Sequence, residues 1–241
     1  ERILRALDAD ESIAIYGDYD VDGVTATTLL VEVLREMGGQ AEAYIPNRFD
    51  EGYGLNNEAL DELKARGFGL VITVDCGIRS PREAEHAREI GLDIIITDHH
   101  HPHDELPATA VICQRKPGEA YPEVNLAGVG LAYKVAQGLL ARRPLTDRSA
   151  ADWLDLVALG TVADLVPLTG ENRALVRGGL RLLRMGGRQG ALSLALAAGL
   201  TVSKNTASDI GFSLGPRLNA AGRLESALAA YDLLIARDVE V

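Results

Sequence analysis

Asp18, Asp20 and Asp22 stand at alternate positions in IYGDYDVDGV, and two more apolar runs end in the same kind of residue, Asp75 in VITVDCG and Asp98-His99-His100 in IIITDHH. Carboxylates crowded together raise one another's pKa and cost stability, so a multivalent cation is the physical reason to keep them. Oxygen ligands favour Mg²⁺ or Mn²⁺, and an imidazole among them tilts the choice toward Mn²⁺. The chemistry expected is that of a two-metal centre. Taken singly, each cluster has an ordinary explanation: an Asp after a strand caps a helix or turns a loop, and a lone His is a surface or core residue. Three clusters at successive strand ends would require three independent accidents.

The elements that must position these residues follow from periodicity. Short β-type runs alternate with helical patterns through the first half, which predicts a mostly parallel β-sheet with helices on both faces. Strands are expected at 12–17, 41–45, 70–74, 93–97 and 110–112. Helices are expected at 24–37, 56–66 and 81–90, the last with Ser80 as N-cap and Pro81 at its first position. LVITV and DIIIT are nearly continuous apolar runs, as strands buried on both faces should be. In such a sheet the carboxyl ends of the strands share one edge, where ligands bind, so all three acidic clusters should converge there. Gly23 and Gly77 follow two of the clusters and would let backbone approach a ligand; the helix from Val24 would aim its N-terminus at the site. From about Val129 the pattern turns mainly helical, with segments at 129–141, 150–159, 172–183, 189–197 and 224–236. The fold class is therefore α/β, followed by a mainly helical C-terminal part.

The 241 residues, 47% hydrophobic and 24% charged, suffice for one large core or two small ones. No apolar run is long enough to span a membrane and the first residues are charged, so a cytoplasmic protein is expected. The absence of an initial Met suggests a piece of a longer protein. Cys76 and Cys113 lack metal-ligand spacing and are expected to be reduced packing residues. The net charge of −11 argues against a nucleic-acid partner unless the acidic residues hold cations, and any DNA binding should be weak and sensitive to salt.

DYDVDG, PNRFDEGYGL, DCG, DHH and GPRLNAAGRL, in this order, resemble the DHH phosphoesterase superfamily, most closely its RecJ-type branch of single-strand-specific bacterial exonucleases. The resemblance runs from Ile13 to about Leu224. It implies that Asp18, Asp20 and Asp22 form the first metal-binding cluster, that Asp75 bridges two Mn²⁺ or Mg²⁺ ions, that His99 is a ligand and that His100 contacts the scissile phosphate. Asp98 would orient its neighbours. It also supplies one ligand that residue patterns alone do not reveal, Asp164 in GTVADLVPL. Arg48, Arg217 and Arg223 resemble phosphate and strand contacts, with Asn219 beside them; a planar guanidinium suits phosphate because it meets two oxygens and keeps its charge. His101 and His103 read as loop residues, and His86 as facing water.

The implied domain plan is an α/β metal-binding part at 1–128, a mainly helical part completing the same domain at 129–223, and at 224–241 the start of a connector helix to a second domain. The implied activity is 5′→3′ exonuclease action on single-stranded DNA in repair and recombination, with a single-strand-binding protein or a helicase as candidate partners and no membrane. The alternatives are a phosphodiesterase of short oligonucleotides or cyclic dinucleotides, and a non-catalytic replication scaffold. A pyrophosphatase of the same superfamily would open with a histidine-containing first motif, which is not present here.

Overall fold

The computed structural model describes residues 1–47, 52, 54–224 and 227–238, except the side chains of 222–224. Among these, five parallel strands form one sheet in the order β2-β1-β3-β4-β5: β1 Ser12–Gly17, β2 Gln40–Tyr44, β3 Leu70–Val74, β4 Asp93–Thr97 and β5 Ala110–Ile112. The strand order reverses direction between β1 and β3, the switch point at which an open α/β sheet leaves a crevice. Register completes the alignment: Gly17 lies beside Val74, Val74 beside Thr97, and Thr97 beside Ile112. The next residues of β1, β3 and β4 are Asp18, Asp75 and Asp98, which leave the sheet at one edge.

Alternate strand residues feed two cores, as the period of two requires. Ile13, Ile15, Leu70 and Ile72 pack with α2 Val21–Glu36, α5 Gly128–Arg142 and α6 Leu154–Ala163. Ala14, Tyr16, Val71 and Ile96 face the other way, toward α3 Asn57–Ala65 and α4 Pro81–Glu89. α2 is buried over most of its length, and its three threonines are tolerated because each hydroxyl donates to a carbonyl one turn back, Thr25 to Val21, Thr27 to Gly23 and Thr28 to Val24. Ser80 occupies the N-cap of α4 without a side-chain capping bond. His86 is half-buried with Nε2 2.8 Å from Asp61, so it does not simply face water.

Three differences from the sequence expectation are informative. A short helix, α1 Arg2–Asp8, opens the chain and buries Ile3 and Ala6. α2 begins at Val21 rather than Val24, because the Asp20 carboxylate accepts from the Gly23 N–H and caps it there. The third difference is GPRLNAAGRL, which is helical.

The C-terminal part continues with α7 Gly170–Met185, α8 Gln189–Ala197, α9 Ala207–Asp209, α10 Gly215–Leu224 and α11 Leu228–Ile235. Between α9 and α10 the chain runs through a π-helical turn, Ile210–Leu214. Pro216 explains it: proline supplies no N–H and its ring crowds the carbonyl four residues back, so the ladder widens and Gly215 N–H reaches Ile210.

Candidate metal centre

Six of the seven acidic and imidazole side chains expected at the sheet edge, all but Asp98, come together in space with Asp164. Three groups offer ligand atoms all within 4.8 Å of one another: Asp75, His99 and His100; Asp22, His99 and Asp164; Asp18, Asp20 and Asp75. Asp75 and His99 each belong to two groups, so the cluster is continuous.

Different local devices hold each member. Asp22, fully buried, accepts from Gly128 N–H at 2.6 Å and Val129 N–H at 2.8 Å, which fixes it on the N-terminus of α5. Asp18 accepts from the Tyr19 N–H. Asp75 is 1% exposed and sits at φ +62, a left-handed conformation that only a minority of non-glycine residues adopt, locked by its N–H to the Thr97 carbonyl. Asp164 terminates α6 at its C-cap.

Asp98 is fully engaged. One carboxylate oxygen accepts from Ile78 N–H, and the other accepts from both the backbone N–H and the ring Nδ1 of His100, the latter at 2.8 Å. These bonds orient the His100 ring and leave its Nε2 as the nitrogen not committed to Asp98.

Glycines make room for the packing. A Cβ on Gly160 would lie 2.3 Å from Thr25 Oγ1 and 2.9 Å from Asp22 Oδ1, and one on Gly128 would lie 2.7 Å from the Asp75 Cβ. Gly160→Ala is therefore expected to destabilise the chain by about 1–3 kcal/mol through overpacking against buried α2. An unfolding free energy from urea denaturation within about 0.5 kcal/mol of wild type would show that α2 and α6 can separate at no cost.

The electrostatics are those of buried carboxylates crowded together. Burial, reinforced by neighbouring carboxylates, raises the pKa of Asp18 to about 7, that of Asp164 to about 6, and those of Asp22 and Asp75 well above the ordinary range. Burial and the adjacent His100 pull His99 down to about 4, so its ring is neutral and free to ligate. Burial also pushes Asp98 upward, but its hydrogen bonds from His100 and Ile78 outweigh that and hold it below the ordinary carboxylate value; the same bond raises His100.

Four buried atoms at the centre have no hydrogen-bond partner among the described residues: Asp75 Oδ1, both ring nitrogens of His99, and Asp164 Oδ2. His99 Nε2 lies 3.1 Å from Asp75 Oδ1 and 3.7 Å from Asp164 Oδ2. Buried polar atoms are almost always paired, and a neutral imidazole converging with unpaired carboxylate oxygens is the donor set that divalent cations of the Mn²⁺ or Mg²⁺ type require. The residues fit such ions.

Two of the remaining candidates, Asn219 and Arg217, have other contacts. The Asn219 side-chain carbonyl accepts from Val21 N–H, so Asn219 ties α10 to the start of α2, a contact that no residue pattern signals. Arg217 is exposed and donates to the Ser213 carbonyl of the π-turn. Arg48 lies outside the described residues, as does the side chain of Arg223, whose backbone belongs to α10. His101 and His103 are exposed loop residues, and Cys76 and Cys113 are buried free thiols.

A family model described as "DHH family, N-terminal domain" matches residues 12–161. The chain is 47% identical over 239 residues to the "Single-stranded-DNA-specific exonuclease RecJ" of Bacillus subtilis, an alignment covering 99% of this chain and 30% of that protein. Among solved structures, one described as "exonuclease RecJ bound to manganese" superposes with a TM-score of 0.88 at 36% identity, covering 97% of this chain and 59% of that one. RecJ from Thermus thermophilus in complex with Mn²⁺ gives a TM-score of 0.85 at 34% identity, over 98% of this chain and 34% of that one. The chain thus spans less than half the length of the curated Bacillus relative.

Proposed function

The chain belongs to the DHH family, and on that premise we propose that it is the core of a single-strand-specific DNA exonuclease that hydrolyses phosphodiester bonds from the 5′ end. The observation that carries this reading is the set of unpartnered buried atoms of Asp75, His99 and Asp164 at the sheet edge, in a chain similar along nearly its whole length to exonucleases of that kind.

Asp18, Asp20, Asp22, Asp75, His99 and Asp164 would hold two divalent ions, Mn²⁺ or Mg²⁺, with Asp75 shared between them. When bound, such ions supply Lewis-acid activation of water and charge stabilisation at the phosphorus. The protein's own part is positional. Asp22 is fixed by two backbone N–H groups, Asp75 by its left-handed backbone, and His99 is kept neutral by burial. His100, its ring held and its pKa raised by Asp98, would turn Nε2 toward a phosphate oxygen. Arg48, Arg217, Arg223 and Asn219 would contact the strand.

The same reading places residues 1–128 and 129–223 in one catalytic unit, with 224–241 beginning a connector. It also places the protein inside the cell, acting in DNA repair and recombination beside a single-strand-binding protein or a helicase; two free buried thiols suit a reducing compartment. Among the described residues, no helix is long and apolar enough to cross a membrane.

The test is cleavage with Mn²⁺ of a 5′-labelled long single strand, its duplex and a set of di- to pentanucleotides. Labelled mononucleotide released from the long strand and not from the duplex is expected. Activity confined to the shortest substrates would overturn the exonuclease reading in favour of an oligonucleotide phosphodiesterase.

A further inference from the structure

In a chain of net charge −11, one helix carries an uninterrupted basic face. Arg173, Arg177, Arg181 and Arg184 of α7 recur at intervals of four, four and three residues, all exposed. At 3.6 residues per turn and 1.5 Å per residue they fall within about 80° of arc and span about 16 Å. Among the described residues no hydrogen bond or ion pair engages the side chain of Arg173, Arg177 or Arg181, while the Arg184 side chain donates only to the Asn205 carbonyl. The acidic groups closest in sequence are already committed. Glu171 is bound by Lys134 and the Tyr121 hydroxyl, and Asp209 by Thr206. Unpaired like charges on one face repel, and a protein with 35 acidic residues has ample means of neutralising them.

The face also has shape. The four arginines rim a groove of about 420 Å³ whose floor is Leu168, Val176, Leu180 and Ala207. Its direction follows from the packing of α6 against α7: a Cβ on Gly179 would lie 2.0 Å from the Leu154 carbonyl oxygen, so the second half of α7 lies against the start of α6. Only six residues, 164–169, join the end of α6 to the start of α7, so with that contact the two helices must run antiparallel. The N-terminal end of α7, with Arg173, therefore lies beside the end of α6 that carries Asp164, and the stripe runs away from the metal centre.

We propose that the arginine face of α7 is a phosphate-contacting track for single-stranded nucleic acid, holding the stretch of strand remote from the end being cut. The ligand class rests on the nuclease reading above; the track itself rests on the arginine geometry. Its chemistry selects backbone over bases. Among the described residues that line it there is no aromatic ring on which a base could stack and no side-chain amide to read a base edge, so binding is independent of sequence and governed by charge.

The experiment measures the affinity of the chain for a labelled oligo-dT strand in EDTA, as a function of salt, so that cleavage plays no part. Three chains are compared: wild type, Arg173→Gln/Arg177→Gln/Arg181→Gln, and the same three positions changed to Lys. With three phosphate-binding charges removed, the slope of log affinity against log salt should shallow by about 2, and affinity at low salt should fall about tenfold or more. The Lys variant should recover most of both, and an unchanged melting temperature in all three would show that the fold is intact. Equal affinity and slope in the Gln variant overturn the track, as does absence of strand binding by wild type at low salt. The track is likewise overturned if the stripe captures poly-glutamate while strand affinity stays unchanged. Failure of wild type to cleave with Mn²⁺ would refute the nuclease reading alone, since the binding comparison does not depend on it.

Discussion

Asp75→Asn is expected to reduce Mn²⁺-dependent cleavage on the order of a thousandfold, while making the metal-free chain harder to unfold at pH 7. Both effects come from one carboxylate. Asp75 is buried with an unpartnered oxygen among Asp22, Asp20 and Asp18, and burial followed by those charges raises its pKa well above the ordinary range. An acid whose folded-state pKa is raised binds its proton more tightly in the native than in the unfolded chain, so ionising it costs stability. That cost is absent below the unfolded value near 3.8, and it grows as pH rises toward the folded values of about 6 for Asp164 and about 7 for Asp18. His99 opposes them. Its folded pKa of about 4 lies below the ordinary 6.5, so its contribution is lost as pH falls through that interval.

Four carboxylates outweigh one imidazole, and the metal-free chain should lose stability from about pH 4 to pH 7. Divalent metal should invert the slope, because the bound state requires the ionised carboxylates. Asn keeps the shape of Asp and tolerates the left-handed backbone, so the variant should show a higher urea midpoint in EDTA and no thermal shift with Mn²⁺. Cleavage within tenfold of wild type, or an undiminished Mn²⁺ thermal shift, would remove Asp75 from the centre.

How much of this site is legible in the sequence depends on the range of the interaction involved. β3 and β4 are readable because LVITV and DIIIT are apolar on both faces, and the acidic clusters because each directly follows a strand. The convergence of Asp18, Asp75 and Asp98 then requires only parallel register. By contrast, the bonds from Gly128 and Val129 that hold Asp22 span more than 100 residues, and no local pattern encodes them. Asp164 is reachable only through family resemblance, since an Asp at a helix C-cap is chemically ordinary. GPRLNAAGRL is opaque for a different reason: its glycines and proline read as helix breakers, whereas the π-turn before Pro216 absorbs the conflict and lets Asn219 reach the first N–H of α2.

The most destabilising single change expected away from the metal centre is Arg188→Met, at about 3–5 kcal/mol. Arg188 has only 9% of its side chain exposed, yet it meets Glu32 through two parallel bonds of 3.0 Å, Asp155 at 2.6 Å, and the Leu234 carbonyl at 2.7 Å. Glu32 in turn accepts from Trp153 Nε1 at 2.7 Å. Burial alone would lower the guanidinium pKa; Asp155 and Glu32 reverse that and hold it higher still. Removing the arginine leaves two buried carboxylates facing each other, and the loss is that of uncompensated charge rather than of packing. The attribution can be separated by adding Glu32→Gln and Asp155→Asn to Arg188→Met, which keeps an acceptor for Trp153 and should restore most of the stability. The placement also bears on the metal centre: Glu32 lies on α2, which begins at the Asp20 cap and carries Asp22, and Asp155 lies on α6, which ends at Asp164. Arg188 thus fastens together the two helices that deliver three of the candidate ligands, at the ends remote from them. Urea unfolding of the metal-free variants measures the effect. A loss under about 1 kcal/mol for Arg188→Met, or no recovery in the triple variant, would show that the cluster is solvated and carries little of the fold.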